Sequence, residues 1–268
     1  MLYHAKNGIL HLSDGEMDYI RFGSGKQALI MLPGLGDGLR TTRDTALPMA
    51  FLYRQFARDF TVYAFSRKHP LPQGYTTRDM ARDQKEAMDL LGISKAHIFG
   101  VSMGGMIAQY LALDHPEAVD KLVLAVTSAK PNPVLTESIE EWISLALSGD
   151  HDKFMDSNLR RIYSDDYYQK NKILIPLLGK LTKPKSYDRF LIQANACLTH
   201  NALDQLPQIH APTLVIGGEQ DLTLGGDPSP EIAAQIPGAA LHMYPQWGHG
   251  LYEEAKDFND LVFSFLSR

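Results

Sequence analysis

At 268 residues, 44% of them hydrophobic and 21% charged, the chain is long enough to bury a large core as one folding unit. Its net charge of -5 leaves no basic excess for nucleic acid or an anionic membrane surface, so no nucleic acid and no membrane are expected as partners. The single cysteine, Cys197, cannot form an internal disulfide, residues 1–8 lack the charged and apolar regions of a signal peptide, and no apolar run is long enough for a span; together these predict a cytoplasmic protein.

In chain order, strand-like and helix-like runs alternate from residue 9 to about 128. Gly23-Ser24-Gly25-Lys26 lacks the earlier glycine and the following hydroxyl of a phosphate loop. The apolar run Ala28-Leu29-Ile30-Met31-Leu32 reads as a strand that enters Pro33-Gly34-Leu35-Gly36, and the glycines of Gly34-Leu35-Gly36-Asp37-Gly38 are not spaced as a dinucleotide fingerprint. A strand over residues 61–65 and a helix over residues 77–91, stopped by Gly92, come next. Residues 95–99 then form a strand that drives straight into Gly100-Val101-Ser102-Met103-Gly104, with a good helix former, residues 106–113, behind it. A serine at such a turn sits in strained backbone, and glycines two positions before and after let the neighbouring strand and helix approach. Its hydroxyl is exposed at the tip of the sheet, where the first helical turn aims N–H groups at developing charge.

The strand at residues 122–128 ends without a carboxylate, and from about 129 to 205 the strand signal disappears. Asn132-Pro133 serves as cap and first position of a helix in which Ile139, Trp142, Ile143 and Ala146 recur until Gly149. Further helices are predicted over residues 153–163, 166–178 with a kink at Pro176, and 186–198, where Cys197 is packing. A separate interaction domain is the alternative for this block; the strand resuming at Thr213 favours an insertion into one core. That strand breaks at Gly217-Gly218 and delivers Asp221 just beyond its end. Residues 240–244 form the last strand, and His249 follows in a Gly-His-Gly turn ahead of the closing helix.

A serine hydroxyl is a weak nucleophile at neutral pH, so Ser102 requires a histidine base and an acid that orients it. His249 and Asp221 are the candidates. Asp221 reads equally well as the former of an Asx-turn; Glu219 falls too early and Asp227 sits in a Gly-Gly-Asp-Pro turn, which favours Asp221 by position only. No H-E-x-x-H, paired C-x-x-C or histidine pair at helical metal spacing occurs in the sequence, so no catalytic metal and no cofactor are expected.

With nucleophile, acid and histidine in this order, each at the end of a strand, the chain resembles the α/β-hydrolase superfamily over nearly its whole length. The resemblance implies an α/β fold with a mostly parallel, doubly wound sheet, a core made of residues 1–128 and 206–268, and a helical cap inserted at 129–205. Residues 22–25 and 28–36 resemble the family's second and third strands and the loop that supplies half of the oxyanion hole, whose donors carry over to the N–H groups of Leu35 and Met103. There are two departures. Pro33 stands where many members have a histidine, and Ser66-Arg67-Lys68-His69 replaces an acidic-arginine-glycine run in a loop expected to border the substrate pocket. A serine elbow argues against the family's epoxide hydrolases and haloalkane dehalogenases, which use an aspartate. The implied mechanism is acyl transfer to water. A small or medium carboxylic ester is the first expectation, with Gly34, Trp142, Phe154 and Met103 against the substrate; carbon–carbon bond hydrolysis of ketonic substrates, lactone or thioester hydrolysis use the same machinery, and a non-catalytic receptor is the distant alternative.

Overall fold

The computed structural model describes residues 2–174 and 183–268. An eight-stranded sheet is built from β1 (Lys6–Leu12), β2 (Gly15–Gly23), β3 (Gln27–Leu32), β4 (Phe60–Phe65), β5 (Ala96–Val101), β6 (Val119–Ala125), β7 (Thr213–Gly218) and β8 (Ala240–Tyr244), in the order β1-β2-β4-β3-β5-β6-β7-β8. The pairs β1–β2 and β2–β4 are antiparallel, and every later pair is parallel. The central strands are apolar runs because both of their faces are covered. In β5, Ile98 packs into the core on one face and its neighbour Phe99 into the core on the other, as the two-residue period of a strand requires. Helices α2 (Thr77–Leu90) and α3 (Met103–Asp114) cover the Ile98 face; α1 (Ala46–Leu52) covers the Phe99 face. The sheet is thus mostly parallel and wound on both sides, as expected.

Between β6 and β7 the chain leaves the sheet for α4 (Pro133–Ser148), α5 (His151–Ile162), α6 (Asp165–Asn171), a 3-10 turn (Lys172–Leu174) and α7 (Asp188–Thr199). Their ends follow local rules. The Asn132 side chain accepts from the Leu135 N–H at 2.9 Å, Pro133 opens α4, and Gly149 closes it at φ 70°. In α2, Thr76 and Asp79 satisfy each other's N–H groups, and Gly92 follows at φ 69°. The predicted kink at Pro176 lies outside the described residues. Cys197 is buried, and burial pushes its thiol up to about 12. After β7 come α8 (Pro228–Gln235) on the α2 face and then, beyond β8, the short α9 (Leu251–Glu254) and α10 (Phe258–Leu266) on the α1 face. Among the described residues, no helix is long and apolar enough to cross a membrane.

Candidate active site

The parallel strands β5, β7 and β8 deliver their loops to one edge of the sheet, and the three candidate side chains meet there. Ser102 stands between β5 and α3 at φ 54° and ψ -123°, a region that a residue with a Cβ rarely occupies. The crossing of strand and helix explains the glycines around it: a Cβ on Gly100 would fall 2.5 Å from the Gly104 carbonyl oxygen and 2.7 Å from Gly105 Cα, and one on Gly104 would run into the Leu32 carbonyl. The strained turn is held by its own backbone bonds. Ser102 N–H donates to Ala125 O at 2.9 Å, and Ser102 O accepts from Gly105 N–H at 2.8 Å and Thr127 Oγ1 at 2.7 Å.

His249 Nε2 lies 3.0 Å from Ser102 Oγ, and His249 Nδ1 lies 2.8 Å from Asp221 Oδ2. Asp221 and His249 are both buried. The second oxygen of Asp221, Oδ1, accepts from the N–H groups of Thr223 and Leu224 at 2.8 Å each. Asp221 thus closes an Asx-turn with one oxygen and faces His249 with the other. The competitors stand elsewhere: Glu219 and Asp227 are exposed, and Asp227 precedes α8.

Leu35 heads a 3-10 turn (Leu35–Gly38) and Met103 heads α3, so neither N–H has an acceptor within its own helix. Gly34 brings the first loop against the serine, since a Cβ there would sit 3.3 Å from Ser102 Cβ. The Pro33 carbonyl accepts from Arg67 Nη2 at 2.6 Å. This corrects the expectation for residues 66–69. Arg67 and Lys68 are buried behind the Leu35 loop and do not line the cavity, because Arg67 turns inward to Pro33 and Lys68 Nζ to Asp14, at 2.6 and 2.7 Å, and to Asp83, at 3.3 Å.

Ser102 and His249 open into a cavity of about 500 Å³ whose lining includes Gly34, Leu35, Trp142, Asn158, Phe190 and Tyr252. Trp142 and Gly34 line this cavity, and Phe154, against the expectation, does not. Phe154 is fully buried behind Phe190, its ring centroid 5.0 Å away and nearly perpendicular. Asn158 and Ile162, one and two turns further along α5, carry the same stripe to the cavity while Phe190 covers its beginning. The Met103 side chain also belongs to the buried core and does not line the cavity. Phe190, Asn158, Tyr252 and Arg40 lie in no motif, and only the i, i+4 spacing from Phe154 to Asn158 offered a signal. Glu253 lines the cavity and accepts from Tyr163 Oη at 2.8 Å; desolvation raises its carboxyl above the usual range, against the pull of that hydroxyl.

The profile of the alpha/beta hydrolase fold family matches residues 27–154. A 2-hydroxy-6-oxononadienedioate/2-hydroxy-6-oxononatrienedioate hydrolase of Pseudomonas sp is 28% identical over 277 residues, covering 98% of this chain and 93% of that protein. The enzyme of the same name from Comamonas testosteroni is 31% identical over 195 residues, 70% of this chain and 68% of its own. Among solved structures, the enol-lactonase from Burkholderia xenovorans superposes with a TM-score of 0.82 at 23% identity, covering 97% of this chain and 100% of that one. The sheet order, the serine turn between β5 and α3, and these likenesses along the whole length place the chain as an enzyme of the α/β-hydrolase fold family, a hydrolase.

Proposed function

We propose that the chain is a serine-dependent hydrolase that cleaves a carbon–carbon bond in a ketonic substrate of the 2-hydroxy-6-oxo-dienoate class. One observation carries the reading: Ser102, His249 and Asp221 form an unbroken hydrogen-bonded chain that opens into the cavity. The choice of bond is supported by relatives that span nearly the whole chain and are named as hydrolases of such substrates.

In this mechanism Ser102 Oγ bonds to the ketone carbon while His249 Nε2 takes its proton, and Asp221 holds the Nδ1–H tautomer. The oxyanion accepts from Leu35 and Met103 N–H. A bare carbanion is too basic to leave, so the substrate must first shift its enol proton to C5, giving the 2-keto tautomer whose carbonyl is conjugated to the scissile bond. When the tetrahedral adduct collapses, the carbon–carbon electron pair departs into that carbonyl as a dienolate, and His249 returns the proton to the dienolate oxygen. Water then enters by the same base and releases the acid. The helices of residues 129–205 act as a cap in this reading, supplying Trp142, Asn158 and Phe190 to the cavity wall.

A second reading, hydrolysis of a carboxylic ester or lactone, is favoured by the apolar wall of Leu35, Trp142 and Phe190, in which Arg40 is the only lysine or arginine among the described lining residues. Turnover of a 2-hydroxy-6-oxo-dienedioate, followed by loss of dienolate absorbance, is compared with a panel of p-nitrophenyl esters. A specificity constant at least about 100-fold higher for the dienoate supports carbon–carbon cleavage, and the reverse ratio supports the ester. Ser102→Ala abolishes either activity and the covalent label of a fluorophosphonate. A folded wild type that neither turns over nor labels overturns both readings.

A further inference from the structure

The loop that carries Leu35 is gripped from behind by two arginines that the mechanism above does not use. Asp37, within the 3-10 turn, is buried, and its Oδ2 accepts from Arg189 Nη2 at 2.6 Å, from the Arg67 backbone N–H at 3.1 Å and from Gln193 Nε2 at 3.3 Å. Arg189 directs its remaining donors to backbone carbonyls: Nε to Asp37 at 3.2 Å, Nη1 to Lys68 at 2.6 Å and Nη2 to Arg67 at 2.7 Å. Arg67 holds the other end of the loop through Pro33 O.

Arg189 and Gln193 stand one turn apart on α7, and Phe190 of the same helix lines the cavity. Helix and turn are in backbone contact as well. A Cβ on Gly38 would fall 2.8 Å from Phe190 Cα, so the close seating depends on glycine.

We propose that Arg189 is a positioning residue that couples α7 to the oxyanion donors, so that seating a substrate against Phe190 and aligning the Leu35 N–H are one event. This rests on the reading of Ser102 as nucleophile and Leu35 as donor. Asp37 Oδ1 and, on Arg67, Nε and Nη1 are buried with no protein partner among the described residues. Without Arg189 the carboxylate is free to move onto the adjacent Arg67 guanidinium and satisfy those atoms, drawing the turn and its Leu35 N–H out of register. A lysine would keep the charge but lose the planar fork that spans one carboxylate and three carbonyls.

The test is the second-order rate at which a small alkyl fluorophosphonate modifies Ser102, where the Oγ–P bond forms, P–F breaks and His249 takes the proton. Arg189→Ala and Arg189→Lys are compared with wild type, with circular dichroism and thermal midpoints as the check on folding and methylguanidinium added back to Arg189→Ala. Misplacing one donor lowers the rate by about 10- to 100-fold in both variants, and methylguanidinium restores a large part of it in Arg189→Ala. Thr76→Ala, which removes the cap of α2 and touches neither the loop nor the Asp221 turn, leaves the rate within about twofold. A folded Arg189→Ala that labels within about twofold of wild type overturns the proposal, as does a loss that methylguanidinium does not relieve. Should Arg189→Ala not fold, Arg189→Lys is held to the same thresholds. A wild type that takes no label overturns instead the nucleophile beneath the proposal.

Discussion

Asp221→Asn should nearly abolish turnover while leaving the fold intact, and the reason lies in the two oxygens of the carboxylate. Oδ1 faces two N–H donors, from Thr223 and Leu224, at 2.8 Å each. An asparagine must therefore point its carbonyl oxygen there, since its NH₂ would meet two donors with a donor. The NH₂ is then left facing His249 Nδ1, where Oδ2 had been at 2.8 Å. It donates to that nitrogen, the ring carries its proton on Nε2, and Nε2–H points at Ser102 Oγ at 3.0 Å with no lone pair to take the serine proton. The wrong tautomer costs about 10⁴-fold in kcat, or about 5.5 kcal/mol of barrier. Initial rates on the best substrate, with the labelling rate of Ser102 measured in parallel, check it at constant folded fraction. If Asp221→Asn stayed within about tenfold of wild type while Asp227→Asn lost activity, the assignment of the acid and the tautomer argument would both be wrong.

Two further outcomes follow from groups around the core and cavity. His200 is buried, accepting at Nδ1 from Thr77 Oγ1 (2.9 Å) and donating from Nε2 to Gln109 Oε1 (3.2 Å), whose amide nitrogen is committed to Ser128 O; desolvation pushes its pKa down from 6.5 to about 3. The unfolded chain therefore binds a proton below about pH 6.5 that the folded protein refuses, so this group's stability is full above that pH and drains toward about pH 3; unfolding free energies of wild type and His200→Gln from urea curves should diverge by about 1.6 kcal/mol between pH 6.5 and pH 5, and parallel pH dependences would refute the buried neutral imidazole. Trp142 lines the cavity and donates to Ser157 Oγ at 3.2 Å, so Trp142→Ala should shift the ratio of octanoyl to acetyl p-nitrophenyl ester specificity constants by about tenfold or more, as added methylenes find new room. An unchanged ratio would place the acyl chain elsewhere.

Where a rule is local, the sequence was readable. The turn at Ser102 needs glycines at 100 and 104 because strand and helix cross there, and the ends of α4 need Asn132 and Gly149 for their first N–H groups and last carbonyls; each requirement is met within a few residues, so each leaves a mark in the sequence. Asp221 shows how a local and a distant role share one side chain. Its Asx-turn is visible from residues two and three positions on, and that same turn fixes which oxygen is left for a histidine 28 positions away. Phe154 fails for the opposite reason: the helical stripe is legible, but which of its turns reaches the cavity is decided by Phe190, contributed by another helix. Arg189 and Asp37, 152 positions apart, carry no mutual signal, and neither does Arg67 to Pro33. The proposed catalytic side chains sit at strand ends, where backbone geometry dictates residue type. The contacts proposed to aim them are long-range polar ones, for which any arginine on the right helix face would serve, and that freedom is what hides them from the sequence.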